Sequence, residues 1–340
     1  MKRIIPAVLV LFAALQSNAQ LADQRIYDAV SKDKLIQVLK EMTGSSLVTV
    51  QGEQFSIPNR YTPQDKAKYR KYWTNYFQAL GIPVQEFAFK TAHTSSGEKE
   101  GHNLEAVLPG LSTDSIIIIV HYDSIGPGGQ EASNPGVDDD MSGMSVSLET
   151  ARLLAPFAGK LKYTVRFVAA DYEEWASPGL EGARVYGKYI KALATKQGFK
   201  LVAAVDNEQI GWSGGDHGKT VDVYSCSSHF GGYNNKDLGD EMEAVFKLSP
   251  LKVKRDCMGE HSDHYAMWEI GVPAVVYSEH NAFSNPHFDA EGGDVFETID
   301  QSYFFNIAKV GVTFAAKLAG IPEQSDESLA PYHLMTYFQP

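Results

Sequence analysis

The chain has 340 residues, 44% of them hydrophobic, enough to bury a full α/β core. Lys and Arg number 30 against 42 Asp and Glu, and the resulting net charge of -12 excludes a non-specific grip on nucleic acid or on anionic lipid.

Residues 1–19 read as a secretory signal. Lys2 and Arg3 form a charged start, Ile4 to Leu15 an apolar stretch, and Ser17-Asn18-Ala19 a small-residue cleavage site. The apolar stretch is too short for a membrane anchor, which needs ~20 residues. No Cys follows it, so lipid attachment there is not expected. The expectation is an exported protein, periplasmic or extracellular after cleavage near Ala19, with no membrane insertion in its mature form. Loss of Lys2 and Arg3 takes the net charge from -12 to -14. Cys226 and Cys257 are the two cysteines. An oxidising compartment lets them pair, and two separate buried thiols are the alternative.

No repeat, low-complexity tract or Pro/Ser-rich linker divides the mature chain, so residues 20–321 read as one domain and 322–340 as a C-terminal tail. A first helix is expected over Gln24 to Met42, where Ile26, Ala29, Val30, Leu35, Val38 and Leu39 recur at helical spacing. A second runs from Pro63 to Leu80 and ends at Gly81, a residue suited to a left-handed cap. Leu104 to Leu108 and Ser115 to His121 read as strands. The unbroken run Ile116 to Val120 is what a strand covered on both faces looks like. After an Asp-rich turn comes a helix bearing Met144, Leu148, Ala151, Leu154 and Ala155. A strand from Tyr163 to Ala170 is next, then Asp171-Tyr172-Glu173-Glu174. Strands at Leu201 to Val205 and Ala274 to Tyr277 lead into Asp206 and into a loop with His280 and His287. A last helix carries Phe304, Ile307, Phe314 and Leu318. Strands alternating with helices predict an α/β three-layer sandwich, with a mixed, mostly parallel central sheet and helices on both faces.

Four strands thus end in chemically active residues, at the edge where open α/β sheets bind ligands. The polar residues gathered there are His121, Asp123, Asp138, Asp139, Asp140, Glu173, Glu174, Asp206, Glu208, His280 and His287. Imidazole and carboxylate are what Zn²⁺ takes when thiolate is absent. Three consecutive acids followed by Ser142-Gly143 also suit a helix N-terminus, but a cap requires neither His121-Tyr122-Asp123 nor Glu173-Glu174 nearby. In His121-x-Asp123 the carboxylate can fix the tautomer of a metal-bound imidazole, or simply be a solvated acid. The adjacent Glu173 and Glu174 point in different directions, which suits one to bind metal and the other to serve as a base. Asp206 is a plausible ligand and also a plausible turn former.

These residues resemble the co-catalytic di-zinc aminopeptidases, the family typified by bacterial leucyl aminopeptidase and aminopeptidase Y. The matching segments are Gly101-His102-Asn103-Leu104, His121-Tyr122-Asp123-Ser124, Gly136-Val137-Asp138-Asp139-Asp140-Met141-Ser142-Gly143, Glu173-Glu174 before Gly179-Leu180-Glu181-Gly182, Ser262-Asp263-His264 and Asn285-Pro286-His287. They cover most of the chain, from about Lys66 to about Leu318. The resemblance implies that Asp139 bridges two zinc ions. Glu174 and His287 would complete one site, His121 and Asp206 the other. Glu173 would be the general acid/base and Asp123 the residue that orients His121. The substrates it implies are the N-termini of peptides or proteins. The chain departs from the family in a longer loop between His287 and Asp294, in Asn207-Glu208 after Asp206 where Met is usual, and in the stretch Cys257-Met258-Gly259-Glu260-His261, which lacks the Tyr that the leucyl aminopeptidase type has near the Ser-Asp-His segment.

Two other activities share this kind of site. One is glutaminyl cyclase, an aminoacyltransferase with a single zinc on a similar fold, which Trp175-Ala176-Ser177-Pro178 weakly resembles. The other is carboxypeptidase or dipeptidase action. A non-catalytic ectodomain is a third reading, but it would be expected to have lost ligands or the base.

Overall fold

The computed structural model describes residues 21–91, 100–125, 134–174, 179–214, 216–227, 234–259, 261–287 and 293–322. The expected signal segment 1–19, nearly all of the tail, and Trp175 to Pro178 lie outside the described residues.

Helix α1 covers residues 21–29 and α2 covers Lys32–Met42. The single helix expected there is broken at Ser31, whose hydroxyl accepts from the Lys34 amide while its own amide donates to Glu149 Oε1, 2.8 Å away. An N-cap and a tertiary bond at one residue outweigh continuous apolar periodicity. A short hairpin, β1 (Val48–Val50) and β2 (Glu53–Phe55), leads to α3 (Pro63–Ala79). Helix α3 is capped by Thr62 with Pro63 at its first position, and Gly81 follows with φ of 74°, as the sequence predicts.

The remaining strands are β3 (Val84–Lys90), β4 (Glu100–Leu108), β5 (Ser112–His121), β6 (Tyr163–Ala170), β7 (Leu201–Asn207), β8 (Thr220–Ser227), β9 (Lys252–Met258) and β10 (Ala274–Glu279). Among the described residues they form one eight-stranded sheet in the order β3-β4-β6-β5-β7-β10-β8-β9. Its centre, β6-β5-β7-β10, is parallel, while β4 and β8 run against their neighbours on that centre. The helices are α4 (Met141–Leu154), α5 (Glu181–Gln197), α6 (Lys236–Phe246), α7 (His264–Glu269) and α8 (Gln301–Ala319).

Strand β5 shows why the sandwich has three layers. Ile116, Ile118 and Val120 pack into the core that α4 and α8 cover, through Met144, Leu148, Phe304 and Phe314. Ile117 and Ile119 face the other way, into a second core with Tyr186 and Ile190 of α5 and Trp268 of α7. Successive side chains of a strand point to opposite faces, so an all-apolar run needs a helix layer on each side. The α/β sandwich read from the sequence is therefore the fold observed.

Connections leave β5 towards β6 on one side and, after β6, return to β7 on the other. The carboxyl end of β5 is thus a topological switch point, where such sheets open a crevice. At the opposite margin Cys226 of β8 and Cys257 of β9 form a disulfide, which ties the edge strand to its neighbour.

Candidate active site

His121 is the last residue of β5 and is 1% exposed. Its Nε2 lies 3.0 Å from Asp139 Oδ1 and 3.9 Å from Glu208 Oε2. His121, Asp139 and Glu208 form one group able to hold a metal ion, their ligand atoms within 4.8 Å of one another; Asp140, Asp206 and Glu208 form a second. Neither group includes Glu174 or His287.

The short contacts are not hydrogen bonds. Both ring nitrogens of His121, Asp139 Oδ1, Asp140 Oδ2 and Asp206 Oδ1 are buried without a hydrogen-bond partner. Buried polar groups left in this condition cost free energy, and a cation among them removes the cost. One imidazole and several carboxylates converging without hydrogen bonds are a donor set that fits zinc.

The Asp run is held by its surroundings. Gly136 has φ of 56°, and a side chain there would strike Arg60 and the Asp139 carbonyl. Arg60, fully buried, donates to the carbonyls of Met42, Tyr122 and Gly136 and so fastens this loop to the end of β5. Asp294 takes the amides of Asp138 and Asp139 on its two oxygens, at 2.7 and 2.9 Å. Asp140 caps α4 by accepting from the Gly143 amide. A Cβ on Gly143 would lie 2.0 Å from the Asn207 carbonyl, so only glycine lets α4 approach β7 this closely. The helix-capping reading of the Asp run thus holds for Asp140, while Asp139 is left free to face His121.

Asp138 has a different task. Its Oδ1 accepts from Gly211, and its Oδ2 shares Asn285 Nδ2 with Glu279 Oε1. Burial pushes Asp138 up to about 6, and burial with the nearby Asp138 charge holds Glu279 well above the usual carboxylate range. Asn285 in turn accepts the His287 amide, so this cluster anchors the start of the loop that carries His287.

Asp123 is fully enclosed. It lies 3.7 Å from His121 Nδ1, beyond hydrogen-bond length, and its two oxygens accept from the amides of Glu173 and Glu174 at 3.0 and 3.2 Å. It therefore fixes the acidic turn after β6 directly and His121 only electrostatically. Burial raises the Glu173 pKa well above its ordinary value; Asp263, Asp139 and Asp123 add to this, against the pull of His121.

Asp206, the expected ligand, and Glu208, to which no part was assigned, both belong to the second candidate metal group, with Asp140. Strand β7 continues two residues beyond Val205, and Asp206 lies inside the ladder, paired with Ile119 of β5 and Val276 of β10. Asp206 Oδ2 is occupied by the His264 amide at 2.8 Å and by His264 Nδ1 at 3.0 Å. With Ile119 level with Asp206, two residues further on each strand bring His121 level with Glu208. Glu208 thus emerges beyond the sheet rim beside the imidazole, steadied by Ser262 Oγ at 2.7 Å. Sequence reading counted Glu208 among the polar residues of the rim and gave it no part. Side-chain parity was the available signal, because positions two apart share a face. Sequence reasoning also passed over Gln209, whose Nε2 donates to Asp139 Oδ2, and gave no task to Asp263, a buried carboxylate that acts on Glu173. His280 belongs elsewhere, paired with Asp222 at 2.9 Å.

The geometry makes one prediction for both acids. Glu208→Gln should weaken zinc binding by roughly 10- to 100-fold or more, as loss of a charged ligand does, and so should Asp206→Asn, whose Oδ1 is free in the second candidate group. Zinc affinities measured by chelator competition would check this, and an unchanged affinity in Glu208→Gln would remove Glu208 from the ligand set.

Residues 103–314 match the model of peptidase family M28. The chain is similar to a probable leucine aminopeptidase of Arthroderma otae, 25% identical over 274 residues that cover 78% of this chain and 71% of the relative. Among solved structures it resembles the Legionella pneumophila LapA aminopeptidase, with a TM-score of 0.67, 20% identity, and coverage of 88% of this chain and 75% of that one. It resembles Porphyromonas gingivalis glutaminyl cyclase to the same degree, with a TM-score of 0.67, 16% identity, and coverage of 86% and 99%. At these identities the two structures establish the shared fold. The family match spans well over half of the sequence and includes every side chain of the candidate site from His121 to Asp294, and the chain accordingly belongs to peptidase family M28.

Proposed function

We propose that this peptidase is a zinc-dependent exopeptidase, specifically an aminopeptidase that removes N-terminal residues. The observation that carries the reading is the buried group His121, Asp139 and Glu208, without internal hydrogen bonds, beside the raised carboxyl of Glu173. His121, Asp139 and Glu208, with Asp206 beside them, would hold one zinc. Glu174 and His287, with Asp139, are the proposed ligands of a second. Zinc in such a site supplies Lewis acidity towards a peptide carbonyl and brings the pKa of water towards neutrality.

The protein's own groups do the rest. Glu173, held by Asp123 through its backbone amide, accepts the proton of the attacking water and delivers it to the leaving amine. Its raised pKa suits both halves of that transfer, since a carboxyl that is too acidic would keep no proton to return. His264, pinned by Asp206, keeps Asp263 close to Glu173 at the start of α7.

Metal loading should be coupled to protons. Burial raises the pKa values of Asp140 and Glu208 well above the carboxylate range. Burial opposes the charging of His121, yet Asp123 and Asp139 outweigh it and lift the imidazole well above its usual value. Groups with raised pKa values carry protons in the metal-free protein that a cation must displace. Zinc binding should therefore release protons, and affinity should increase as pH rises through the neutral range. Calorimetric titration in buffers of different ionisation enthalpy measures the release, and a pH-independent affinity would contradict it.

Export, expected from residues 1–19, accords with the Cys226–Cys257 disulfide, since such bonds persist in oxidising compartments. Among the described residues no helix is long and apolar enough to cross a membrane.

The test is a screen of N-terminally free and N-terminally blocked peptides, with zinc restored after chelation. Release of single N-terminal residues from the free peptides alone supports the aminopeptidase. Pyroglutamate formation from peptides starting with Gln would replace it with a cyclase, and hydrolysis of blocked peptides from the other end with a carboxypeptidase.

A further inference from the structure

Gln209 follows Glu208 at the rim of the sheet and is buried, with 7% exposure. Its backbone has φ of 39°, a conformation uncommon outside glycine. Three hydrogen bonds hold it there. Its amide donates to Asp140 Oδ1, and its carbonyl accepts from the Glu279 amide at 2.7 Å and from Ser278 Oγ at 3.2 Å. The side chain is thereby aimed at Asp139, and Nε2 donates to Asp139 Oδ2 over 2.6 Å. The other oxygen, Oδ1, is the one that faces His121 and has no hydrogen bond. The two oxygens of one carboxylate are thus in different states. One is free for a cation, and the other is already engaged by an amide whose positive N–H end points at it.

We propose that Gln209 sets the order and strength of metal loading, so that the His121–Asp139–Glu208 site fills first and a second cation on Asp139 Oδ2 binds more weakly. A carboxylate that bridges two metals through both oxygens presents electron density from each to its own ion. An N–H donor on Oδ2 withdraws density from that oxygen and occupies one of its lone-pair directions. A second cation must displace this amide or share the oxygen with it. The inference rests on the proposed metal site and adds to it a residue that regulates the stoichiometry.

The experiment titrates the metal-free full chain with zinc against a competing chelator of known affinity. It compares the wild type with Gln209→Leu, which removes the donor, and Gln209→Asn, which tolerates the left-handed backbone but is one methylene too short to reach. In the wild type the second zinc is expected to bind at least about tenfold more weakly than the first. In both variants the second should tighten by about tenfold, the worth of one charge-assisted hydrogen bond, with the first unchanged. A second affinity that is equal in all three proteins, or weaker in the variants, overturns the role of Gln209. Two equally tight zinc ions in the wild type overturn it as well. Absence of any tight zinc in the wild type would instead overturn the metal site itself, so the two failures are distinct.

Discussion

Glu173→Gln is expected to lower kcat by ~10²–10⁴ while zinc content stays at the wild-type level. Glutamine keeps the size of the side chain and leaves the backbone amide of residue 173 free to bond Asp123 Oδ1, so the turn after β6 should not move. Only the capacity to take and return a proton is lost. The same substitution at Glu174 is expected to act differently. Glu174 is a proposed ligand of the second zinc, so its loss should appear in metal content as well as in rate. Steady-state kinetics on a free-amine peptide together with zinc analysis by mass spectrometry separates the two. Unchanged hydrolysis by Glu173→Gln would remove this residue from the mechanism. Loss of zinc in that variant would reassign it as a ligand.

The second large effect is on stability. Lys66 of α3 is buried and forms an ion pair with Asp171, Nζ to Oδ1 at 2.7 Å, the two side chains being 1% and 0% exposed. Its Nζ also stands 3.7 Å over the centre of the Tyr172 ring. Asp171 takes the amides of His102 and Tyr172 and accepts no other cation among the described residues. Burial already raises its pKa, and Lys66 is the largest influence that opposes this. Lys66→Met should therefore destabilise the fold by about 3–5 kcal/mol, because a carboxylate is left enclosed without its partner. For a domain of this size that corresponds to a Tm lower by roughly 10 °C. Adding Asp171→Asn removes the stranded charge and keeps an acceptor for the amides, so the double variant should regain part of the loss. Thermal and urea unfolding of the three proteins would check it. A single variant as stable as the wild type would mean that water reaches Asp171. Because Asp171 is two residues before Glu173, activity should fall along with stability.

Much of this protein could be read from its sequence. The apolar run Ile116 to Val120 requires a covered strand, and four strands that end in acids or histidines require one polar rim. His121, Asp139 and the Glu173-Glu174 pair at that rim are then a donor set for zinc with a candidate base, and their resemblance to the di-zinc aminopeptidases implies a metal-assisted hydrolase. These features are local: side-chain alternation, caps and turn residues act within a few positions, and periodicity reveals them. Ser31 shows the limit of that reading, since the bond from its amide to Glu149 of α4 breaks a helix that periodicity alone would continue.

Which acid stands beside His121 is not local. Asp206 and Glu208 are two residues apart and chemically alike, and the resemblance assigns a metal only to Asp206. The register between β5 and β7 brings Glu208 to the level of the imidazole as well, while Asp206, bonded to His264 through Oδ2, keeps Oδ1 free beside Asp140 and Glu208. The same holds for Asp139, the central residue of the Asp run. Sequence chose it among three acids, but only the fold shows that Asp294 holds its amide, that Asp140 caps α4 beside it, and that Gln209 engages one of its two oxygens. Sequence sets which groups can bind a metal. The packing of strands whose residues are far apart in the chain decides which of their atoms remain free to do so.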